Sequence, residues 1–528
     1  MNFCTMDFIL FAIVLAVLYY IVRPSGRWMV LLAGSLVFFA FGGWKYLLYA
    51  VVMSVVFFLA ANMIDKINDR QSQLDRKQDK DVWAQLAGKS KRILVITIVL
   101  VVGNLVLNKY FNLLGELISN ISAYLGGSGE IALWEIALPL GLSYYTFSGL
   151  GYILDVYWKR YRSQKNYAKF LLYIVYFPHI IQGPIERYGL LGNQFFDETK
   201  IRFDGERIRN ALVWMGYGYF KKLFVADRIS IFVNGVMAEP KGTAGSIQLF
   251  AILLSAAWIY ADFSGYMDIA KGVSMIFGIE INQNFNHPFL SKSVPEWWRR
   301  WHMSLSSWWK DYIYMPMATS LRFISTCAKV KKKFGKNVGK FFKDAVPLLL
   351  IWTTTGLWHG TGATYLAWGL YFSLIFICSV TFAPAMTKLL QKLHINAESK
   401  CFHLFQIIRT YLLFCVGRLL TVPGSLGYTG SIVKNMFTNF NGNAVLSRSV
   451  YEKYGTCMQE VIFMFVGIAA IIIVDCIEEY RGKSISEWVF DRNWFVRSLI
   501  YAAVIVAILV FGIYGVDFSM EGFAYQDF

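Results

Sequence analysis

PEWWRRWHMSLSSWWKDYIYMP, residues Pro295 to Pro316, combines five tryptophans with basic and hydroxyl side chains. At about 100° per residue on a helix, four apolar side chains fall on one stripe: Trp298, Leu305, Trp309 and Tyr312. The side chains at its margins are those of Trp301, His302 and Trp308. Amphipathic helices rich in tryptophan favour membrane interfaces. The pattern therefore predicts one interfacial helix that holds His302 at the boundary between hydrocarbon and water.

The chain as a whole is strongly apolar. Of its 528 residues, 56% are hydrophobic and 16% are charged, whereas soluble domains carry about 25% charged residues. Apolar segments recur from end to end without a long polar region between them. We therefore expect an all-α polytopic membrane protein in which residues 1–528 form a single membrane domain. The apolar runs predict about 11 transmembrane helices, together with re-entrant and interfacial helices.

The positive charge is concentrated in loops. The formal net charge is +17, but Lys and Arg occur in short clusters between apolar runs, at residues 65–92, 159–169 and 329–343. Such clusters are typical of cytoplasmic loops, whereas nucleic-acid binding requires one basic face. The seven cysteines are scattered singly. Neither a disulfide framework nor a metal site is therefore expected.

One apolar segment is interrupted. Residues 170–185 read FLLYIVYFPHIIQGPI and contain Pro178, Gly183 and Pro184, so the segment is too short and too broken for a span of about 20 residues. Irregular backbone at membrane depth occurs where protein or a water-filled cavity satisfies its polar groups. We expect a re-entrant element lining a cavity, with His179 and Gln182 in it. Simple structural packing of these two residues is the alternative.

Two carboxylates lie within or against an apolar run. Asp262 and Asp268 belong to YADFSGYMDIA, residues 260–270. A carboxylate at membrane depth is costly, so the positions indicate either a paired or wet functional site, or a structural ion pair or helix cap. The sequence leaves these alternatives open.

A single histidine interrupts a later apolar segment. His359 lies in TTTGLWHGTG, residues 353–362, with glycines close by and three threonines before it. Glycine allows backbone or ligand to approach closely, and the hydroxyls predict a polar pocket. Imidazole takes up a proton near neutral pH, as a general base for an attacking alcohol must. A packed, satisfied histidine is the alternative.

His302 and His359 together are a better candidate than either alone. An interfacial histidine such as His302 is often only an anchor, but one basic loop and one span separate it from His359, so both can face the same cavity. We interpret His287, His394 and His403 as surface or structural residues, because they lie in turns or polar loops.

Familiar catalytic motifs are missing from the sequence. It contains no P-loop, no G-x-S-x-G elbow, no H-E-x-x-H and no G-x-G-x-x-G after a strand. Nucleotide hydrolysis, serine esterase chemistry and zinc chemistry are therefore unsupported. A histidine-based transfer inside a membrane cavity remains, and transport is the other possibility.

Four motifs resemble those of the membrane-bound O-acyltransferase (MBOAT) family, and most of all its bacterial branch that acetylates alginate or transfers D-alanine to teichoic acid. They are FPHIIQGPIERY (Phe177 to Tyr188), YADFSGYMDIAKG (Tyr260 to Gly272), NFNHPFLSKSVPEWWRRWHMSLSSWWKDYIYMP (Asn284 to Pro316) and GLWHG (Gly356 to Gly360). Together they cover most of residues 130–380. The resemblance implies an MBOAT fold, in which helices surround a central tunnel.

The resemblance also implies roles for particular residues. The catalytic histidine of the family corresponds to His359 and its second histidine to His302. Candidate supporting or substrate-binding residues are Trp358, Asp311, Asn284, Trp298, Ser306 and Gln182. No metal and no bound cofactor are expected.

The reaction implied is acyl transfer from a cytoplasmic thioester, expected to be acetyl-CoA, to a hydroxyl reached from the outer side. Whether an acyl-enzyme forms is open. The expected partners are an extracytoplasmic, esterase-like acyl-relay protein, a polysaccharide or cell-wall acceptor and the lipid bilayer, and the expected location is the bacterial inner membrane.

Two alternatives stand beside this interpretation. In the first, the donor is a D-alanyl thioester on a small acidic acyl-carrier protein that docks on the lysines of residues 329–343. In the second, the chain is a lipid or sugar exporter whose histidines gate a pathway.

Overall fold

The computed structural model describes residues 2–124, 139, 141–199, 202–239 and 242–514. In these ranges the secondary structure is helical, apart from an isolated antiparallel bridge between Phe285 and Trp301. The predicted all-α class is confirmed. Two compact units can be distinguished: the first holds the described residues up to 211 together with 270–282, and the second holds 212–269 and the described residues from 283 onward.

The first unit consists of long helices followed by a broken segment. Its α-helices are Met6–Ile21, Arg27–Gly42, Trp44–Ser72, Lys80–Tyr124, Leu142–Tyr157, Tyr167–Val175, Phe177–Ile180 and Tyr188–Leu191, with 3-10 turns at Pro24–Gly26 and Gln194–Phe196. Phe8, Phe38 and Phe177 are buried together, with ring centroids 5.5–6.3 Å apart. Aromatic rings at these distances form the unit's apolar core.

The second unit contains both candidate histidines. Its α-helices are Asp227–Ala238, Val294–Arg300, Met303–Trp309, Met315–Ala318, Leu321–Phe334, Lys336–His359, Ala363–Lys392, Lys400–Thr421, Leu426–Thr438, Arg448–Lys453, Met458–Arg481, Ile485–Phe490 and Trp494–Leu509. It also has π-helical turns at Phe220–Ala226 and Lys310–Tyr314, and 3-10 turns at Pro288–Leu290 and Gly442–Leu446. Two helices, Gly205–Tyr219 and Gly245–Ile276, contribute residues to both units.

Seven segments of the described chain are long and apolar enough to cross a membrane. They are Pro24–Gly42, Trp44–Ser72, Lys80–Gly115, Gly245–Ile276, Ala363–Lys392, Lys400–Thr421 and Met458–Arg481. Met6–Ile21 and Trp494–Leu509 are shorter apolar helices. This pattern is that of an integral membrane protein.

The described residues hold fewer long apolar helices than the predicted number of about 11. The apolar run at residues 210–237 carries buried charges at Lys221, Lys222 and Asp227, and the helix there changes to a π-helical turn at Phe220–Ala226. Residues 345–358 are the apolar end of the helix Lys336–His359, which begins with lysines. These two runs were predicted to be transmembrane helices because they are rich in apolar residues. Charged side chains interrupt the first and precede the second.

The interruption predicted in residues 170–185 is confirmed. The helix Tyr167–Val175 stops at Tyr176, and a single turn Phe177–Ile180 follows. A Cβ on Gly183 would lie 2.1 Å from the Cα of His179, so this tight return needs glycine. The Nε2 atom of His179 is 3.1 Å from the carbonyl oxygen of Tyr173, which favours the packing alternative for His179.

Candidate active site

The tryptophan-rich stretch does not form one helix. It divides into Val294–Arg300, Met303–Trp309, the π-helical turn Lys310–Tyr314 and Met315–Ala318, so the prediction of a continuous interfacial helix is wrong. Between the first two helices, Trp301 is extended and His302 has φ 46° and ψ 53°. This left-handed conformation costs a residue with a side chain about 1–2 kcal/mol. Helical periodicity misses the break because Trp301 pairs with Phe285, which lies outside the stretch.

Two short backbone segments hold His302 in this conformation. We call residues 284–287 and 300–303 the histidine clamp. The amide of Asn286 donates to the carbonyl oxygen of Arg300 at 2.9 Å, and the amide of Met303 donates to that of Asn284 at 3.0 Å. The strained histidine is thus enclosed within an antiparallel pairing.

Asn284 also caps the helix that begins at Met303. Its side-chain Oδ1 accepts a hydrogen bond from the amide of Ser304 at 2.9 Å, whereas His302 supplies no side-chain cap. A capping hydrogen bond contributes about 0.5–2 kcal/mol, which is comparable to the cost of the left-handed residue. The structure therefore places Asn284 where it supports the backbone of His302.

His302 is buried, not held at the margin of an interfacial stripe. Its side chain lies edge-on to Phe263, with ring centroids 5.0 Å apart, and its ring centroid is 6.3 Å from that of Trp358. Within the described part of the chain neither ring nitrogen has a hydrogen-bond partner. Burial lowers the pKa of His302 to about 3 because an apolar environment disfavours the charged ring. The imidazole is therefore neutral near pH 7.

His359 is the last residue of the helix Lys336–His359 and is also buried. Its ring centroid lies 4.6 Å from that of Trp358 and 5.0 Å from that of Trp368. The helix ends here because Gly360 is extended, with φ −173° and ψ 166°. The imidazole is therefore fixed between two indole rings at a helix terminus.

Glycines near His359 admit a neighbouring helix. A Cβ on Gly356 would lie 2.4 Å from the carbonyl oxygen of Tyr365, and a Cβ on Gly369 would lie 2.4 Å from that of Trp352. The predicted close approach is therefore made by the backbone of the helix Ala363–Lys392. This packing brings Trp368 against His359.

The Gly369→Ala variant is expected to lower stability. Its new methyl group has no room against the Trp352 carbonyl oxygen, and overpacking of this kind costs about 1–3 kcal/mol. We expect a lower midpoint of thermal unfolding for the purified protein, measured by the loss of monodisperse protein on heating. Gly103→Ala is the matched control, because nothing lies within 4 Å of a Cβ at Gly103 in its helix. Equal midpoints for the two variants would contradict the packing argument.

The threonines before His359 do not form the predicted polar pocket. The hydroxyl of Thr355 donates to the carbonyl oxygen of Ile351 at 2.7 Å, and that of Thr354 donates to the carbonyl oxygen of Leu350 at 2.8 Å. Both hydroxyls are thus satisfied within their own helix. The pocket interpretation is wrong for these two residues.

Trp358 lies close to both histidines. Its ring centroid is 4.6 Å from that of His359 and 6.3 Å from that of His302. The structure therefore brings together three of the residues predicted from sequence. Two buried imidazoles therefore lie close to one buried indole.

Trp298 and Ser306 make contacts within the second unit. The Trp298 ring packs 4.8 Å from Trp352, 5.6 Å from Trp368 and 5.0 Å from Phe372. The hydroxyl of Ser306 donates to the carbonyl oxygen of Trp298 at 3.2 Å across the helix break. A supporting role for Trp298 and Ser306 in the reaction stays a prediction.

Asp311 and Gln182 are the two remaining residues predicted from the sequence. Asp311 belongs to the π-helical turn Lys310–Tyr314 and is partly exposed. Gln182 belongs to the first unit and is fully buried, and its amide nitrogen and oxygen lack hydrogen-bond partners among the described residues. A role for either residue in the reaction stays a prediction.

Asp262 and Asp268 form buried ion pairs. Asp262 lies 2.7 Å from Lys222, and Asp268 lies 2.7 Å from Lys221, with Lys222 also 2.8 Å from Asp227. Both carboxylates are therefore paired, which agrees with the ion-pair alternative. Buried charges are stable only when they are paired, so this network fixes the π-helical turn to the helix Gly245–Ile276.

Sequence reasoning missed several residues around the site. Lys221 and Lys222 interrupt an apolar run, which was the available signal. His287, interpreted only as a surface or structural residue, is buried with Nδ1 3.3 Å from Asp475. Arg300 pairs with Glu479 far along the chain. No local pattern predicts these long-range pairs.

Residues 159–328 match the sequence model of the family described as MBOAT, membrane-bound O-acyltransferase family. This region of the chain is therefore similar to the MBOAT family. The matched region includes the histidine clamp and His302, whereas His359 lies beyond it.

Three bacterial proteins similar to this chain carry functional names. The probable alginate O-acetylase of Pseudomonas aeruginosa is 30% identical over 59% of this chain and 54% of its own. The peptidoglycan O-acetyltransferase of Helicobacter pylori is 27% identical over 65% and 62%, and the teichoic acid D-alanyltransferase of Bacillus subtilis is 32% identical over 45% and 58%. The similarity thus spans between half and two thirds of each relative.

Proposed function

We propose that this protein is an O-acyltransferase that moves an acetyl group from cytoplasmic acetyl-CoA through the bacterial inner membrane for O-acetylation of an extracytoplasmic polysaccharide or cell-wall polymer. The observation that supports it most is that His302 and His359 both lie close to the Trp358 ring, with all three side chains buried. Buried histidines in a membrane protein are costly unless they serve a function. The names of the relatives supply the substrate class.

In the proposed step, His359 acts as the general base. Its ring accepts the proton of the acceptor hydroxyl while that oxygen attacks the carbonyl carbon of the thioester. The tetrahedral intermediate then collapses, the carbon–sulfur bond breaks, and the thiolate of coenzyme A takes the proton from His359. The product is an O-acetyl ester and free thiol, so no group remains on the enzyme.

His302 is proposed to stabilise the oxyanion of that intermediate. A neutral imidazole has one N–H donor and one acceptor nitrogen, and neither has a protein partner among the described residues. A donor already desolvated and held by the histidine clamp costs little reorganisation when charge develops on the carbonyl oxygen. Trp358 is proposed to set the spacing between the two imidazoles.

The acceptor need not be the final polymer. This chain provides no recognisable nucleophile triad, so we propose that an extracytoplasmic, esterase-like partner receives the acetyl group on a hydroxyl and relays it to the polymer. The thioester reaches the site from the cytoplasmic face and the hydroxyl from the outer face.

Acetyl transfer is tested with membranes from cells that make this protein. Supplied with acetyl-CoA carrying a labelled acetyl group, they are expected to incorporate label into an alkali-labile ester on surface polymer or on a relay protein, because oxygen esters hydrolyse in mild base. Mass analysis of the polymer measures the incorporation.

Membranes from otherwise identical cells without the chain are the control. Label of equal intensity in both preparations would contradict the proposal, and so would a polymer that stays unlabelled while other acyl groups accumulate on it.

A second candidate function has a specific observation behind it. The helix Leu321–Phe334 and the first turns of Lys336–His359 form a basic helical hairpin, residues 321–343, whose lysines are exposed. Exposed apolar residues accompany them, including Leu321 and Phe334 at 85% and 58% exposure. This surface suits a small acidic acyl-carrier protein, as D-alanyl transfer requires. Under that alternative, a labelled D-alanyl group supplied as its carrier-protein thioester would label the wall polymer, and labelled acetyl-CoA would not.

A further inference from the structure

The histidine clamp is attached to a helix that lies beyond the family match. That helix is Met458–Arg481, one of the segments apolar enough to span a membrane. Its last turns carry three acidic residues, Asp475, Glu478 and Glu479. Glu479 contacts one segment of the clamp, and Asp475 and Glu478 lie close to the other.

The segment 300–303 is held through Arg300. Its guanidinium makes a bidentate pair with Glu479, with Nη1 2.8 Å from Oε2 and Nη2 2.9 Å from Oε1. The same Nη1 donates to the carbonyl oxygen of Asn286 at 3.3 Å. Bidentate pairing fixes the orientation of both partners, and Arg300 lies only two residues before His302.

The segment 284–287 is held through His287. Its Nδ1 lies 3.3 Å from Oδ1 of Asp475, and its Nε2 lies 3.7 Å from Oε2 of Glu478. The other oxygen of Asp475 accepts a hydrogen bond from the hydroxyl of Tyr260 at 2.9 Å. Asp475 is 3% exposed, so this carboxylate is enclosed where the helix meets the clamp.

Both attachment points are next to strained backbone. His287 has φ 48° and His302 has φ 46°, so each segment of the clamp contains one left-handed histidine. Such residues persist only when their surroundings hold them. Asp475 and Glu479 are four residues apart and therefore share one face of their helix, so a single face of that helix can restrain both segments.

We propose that this face of the helix Met458–Arg481 is a brace that positions His302 through Arg300 and His287. Asp475 and Glu479 are positioning residues under this proposal, which rests on the proposed acyl transfer. They do not touch the substrate. Loosening the brace lets the clamp relax and displaces the His302 imidazole from the place where it meets the developing oxyanion.

The first test is kinetic. In purified protein reconstituted with lipid, Glu479→Gln and Asp475→Asn are expected to lower kcat by about 10-fold, since displacements of an ångström cost up to about 100-fold in rate. KM for acetyl-CoA is expected to change less than about 2-fold, because substrate contacts remain. Glu479→Asp, which keeps the charge, is expected to recover part of kcat.

Glu460→Gln is the matched control. Glu460 lies in the first turn of the same helix, forms an ion pair with Arg228, and has a side chain about as exposed as that of Glu479. It does not contact the histidine clamp. This variant is expected to keep wild-type kcat, and an equal loss of kcat in Glu460→Gln and Glu479→Gln would overturn the proposal.

The second test does not depend on acyl transfer. Hydrogen–deuterium exchange is measured on the peptide that contains Met303 and Ser304, whose amides donate to Asn284. Faster exchange is expected in Glu479→Gln and not in Glu460→Gln. Unchanged exchange in Glu479→Gln would overturn the brace. Faster exchange in Glu479→Gln, combined with no acetyl transfer by the wild-type protein, would retain the brace and overturn the proposed function.

Discussion

His359→Gln is expected to lower kcat for acyl transfer by about 10²–10⁴-fold, the range that a general base contributes. Glutamine has hydrogen-bonding groups of similar reach but no basic nitrogen, so the acceptor hydroxyl keeps its proton. The helix C-terminus and the packing of Trp358 and Trp368 against the side chain are expected to remain. Initial rates of acetyl transfer, with and without acceptor, measure the loss.

The control for this variant is His403→Gln. His403 lies on the helix Lys400–Thr421 near Glu398 and Lys292, and its side chain is partly exposed. It contacts neither Trp358 nor the histidine clamp in any described interaction. Wild-type transfer in a monodisperse His359→Gln protein would refute the catalytic assignment and favour the exporter alternative, in which histidines only gate a pathway.

His302→Asn is expected to lower kcat by about 10²–10³-fold, as the removal of an oxyanion-hole donor does. Asparagine tolerates the left-handed backbone conformation, so the histidine clamp can close around it. The shorter amide does not reach the position that the ring occupies beside Phe263 and Trp358. Steady-state kinetics on reconstituted protein give kcat and KM separately.

The pH profile of this variant provides a further check. Burial lowers the pKa of His302 to about 3, so the ring stays neutral as the pH falls from 8 to about 4. If kcat falls as the pH drops below about 6, the group that takes up the proton must then be one other than His302. The His302→Asn variant is expected to lower kcat at every pH without changing the pH at which this fall occurs. Displacement of this fall by a full pH unit would contradict the neutral-donor role.

His394→Asn is the matched control for backbone conformation. His394 has φ 53° and is exposed, so the same substitution is made at the same kind of backbone without touching the site. The kcat of His394→Asn and its dependence on pH are expected to equal those of the wild type. A variant with both His302→Asn and His359→Gln is expected to have a kcat only slightly below that of His359→Gln alone. The reason is that the effects of residues that act in the same step are not additive.

The two histidines could be selected from sequence because each violates its local pattern. His359 interrupts an apolar run between glycines, and His302 lies in a stretch whose tryptophans indicate a membrane location. Composition alone was enough for an all-α membrane protein. These inferences need only the cost of polar groups in an apolar environment, which acts on each segment independently of the rest of the fold.

The arrangement of the site depended on residues distant in the chain. The break at Trp301 and His302 is made by Phe285 and Asn284. Lys222 meets Asp262 across 40 residues, and Arg300 meets Glu479 across 179. Hydropathy and periodicity describe which face of a segment is buried and cannot name the partner that buries it.

The sequence by itself therefore determined the helical membrane class, the interruption near Pro178 and the pair of candidate histidines. Only the tertiary structure decided that His302 is a buried, left-handed residue and that the Trp358 ring lies close to both His302 and His359. It also decided that Asp262 and Asp268 are balanced by lysines. The physical reason is that burial and charge pairing are properties of the whole packed chain, whereas a sequence pattern reports only the preference of its own segment.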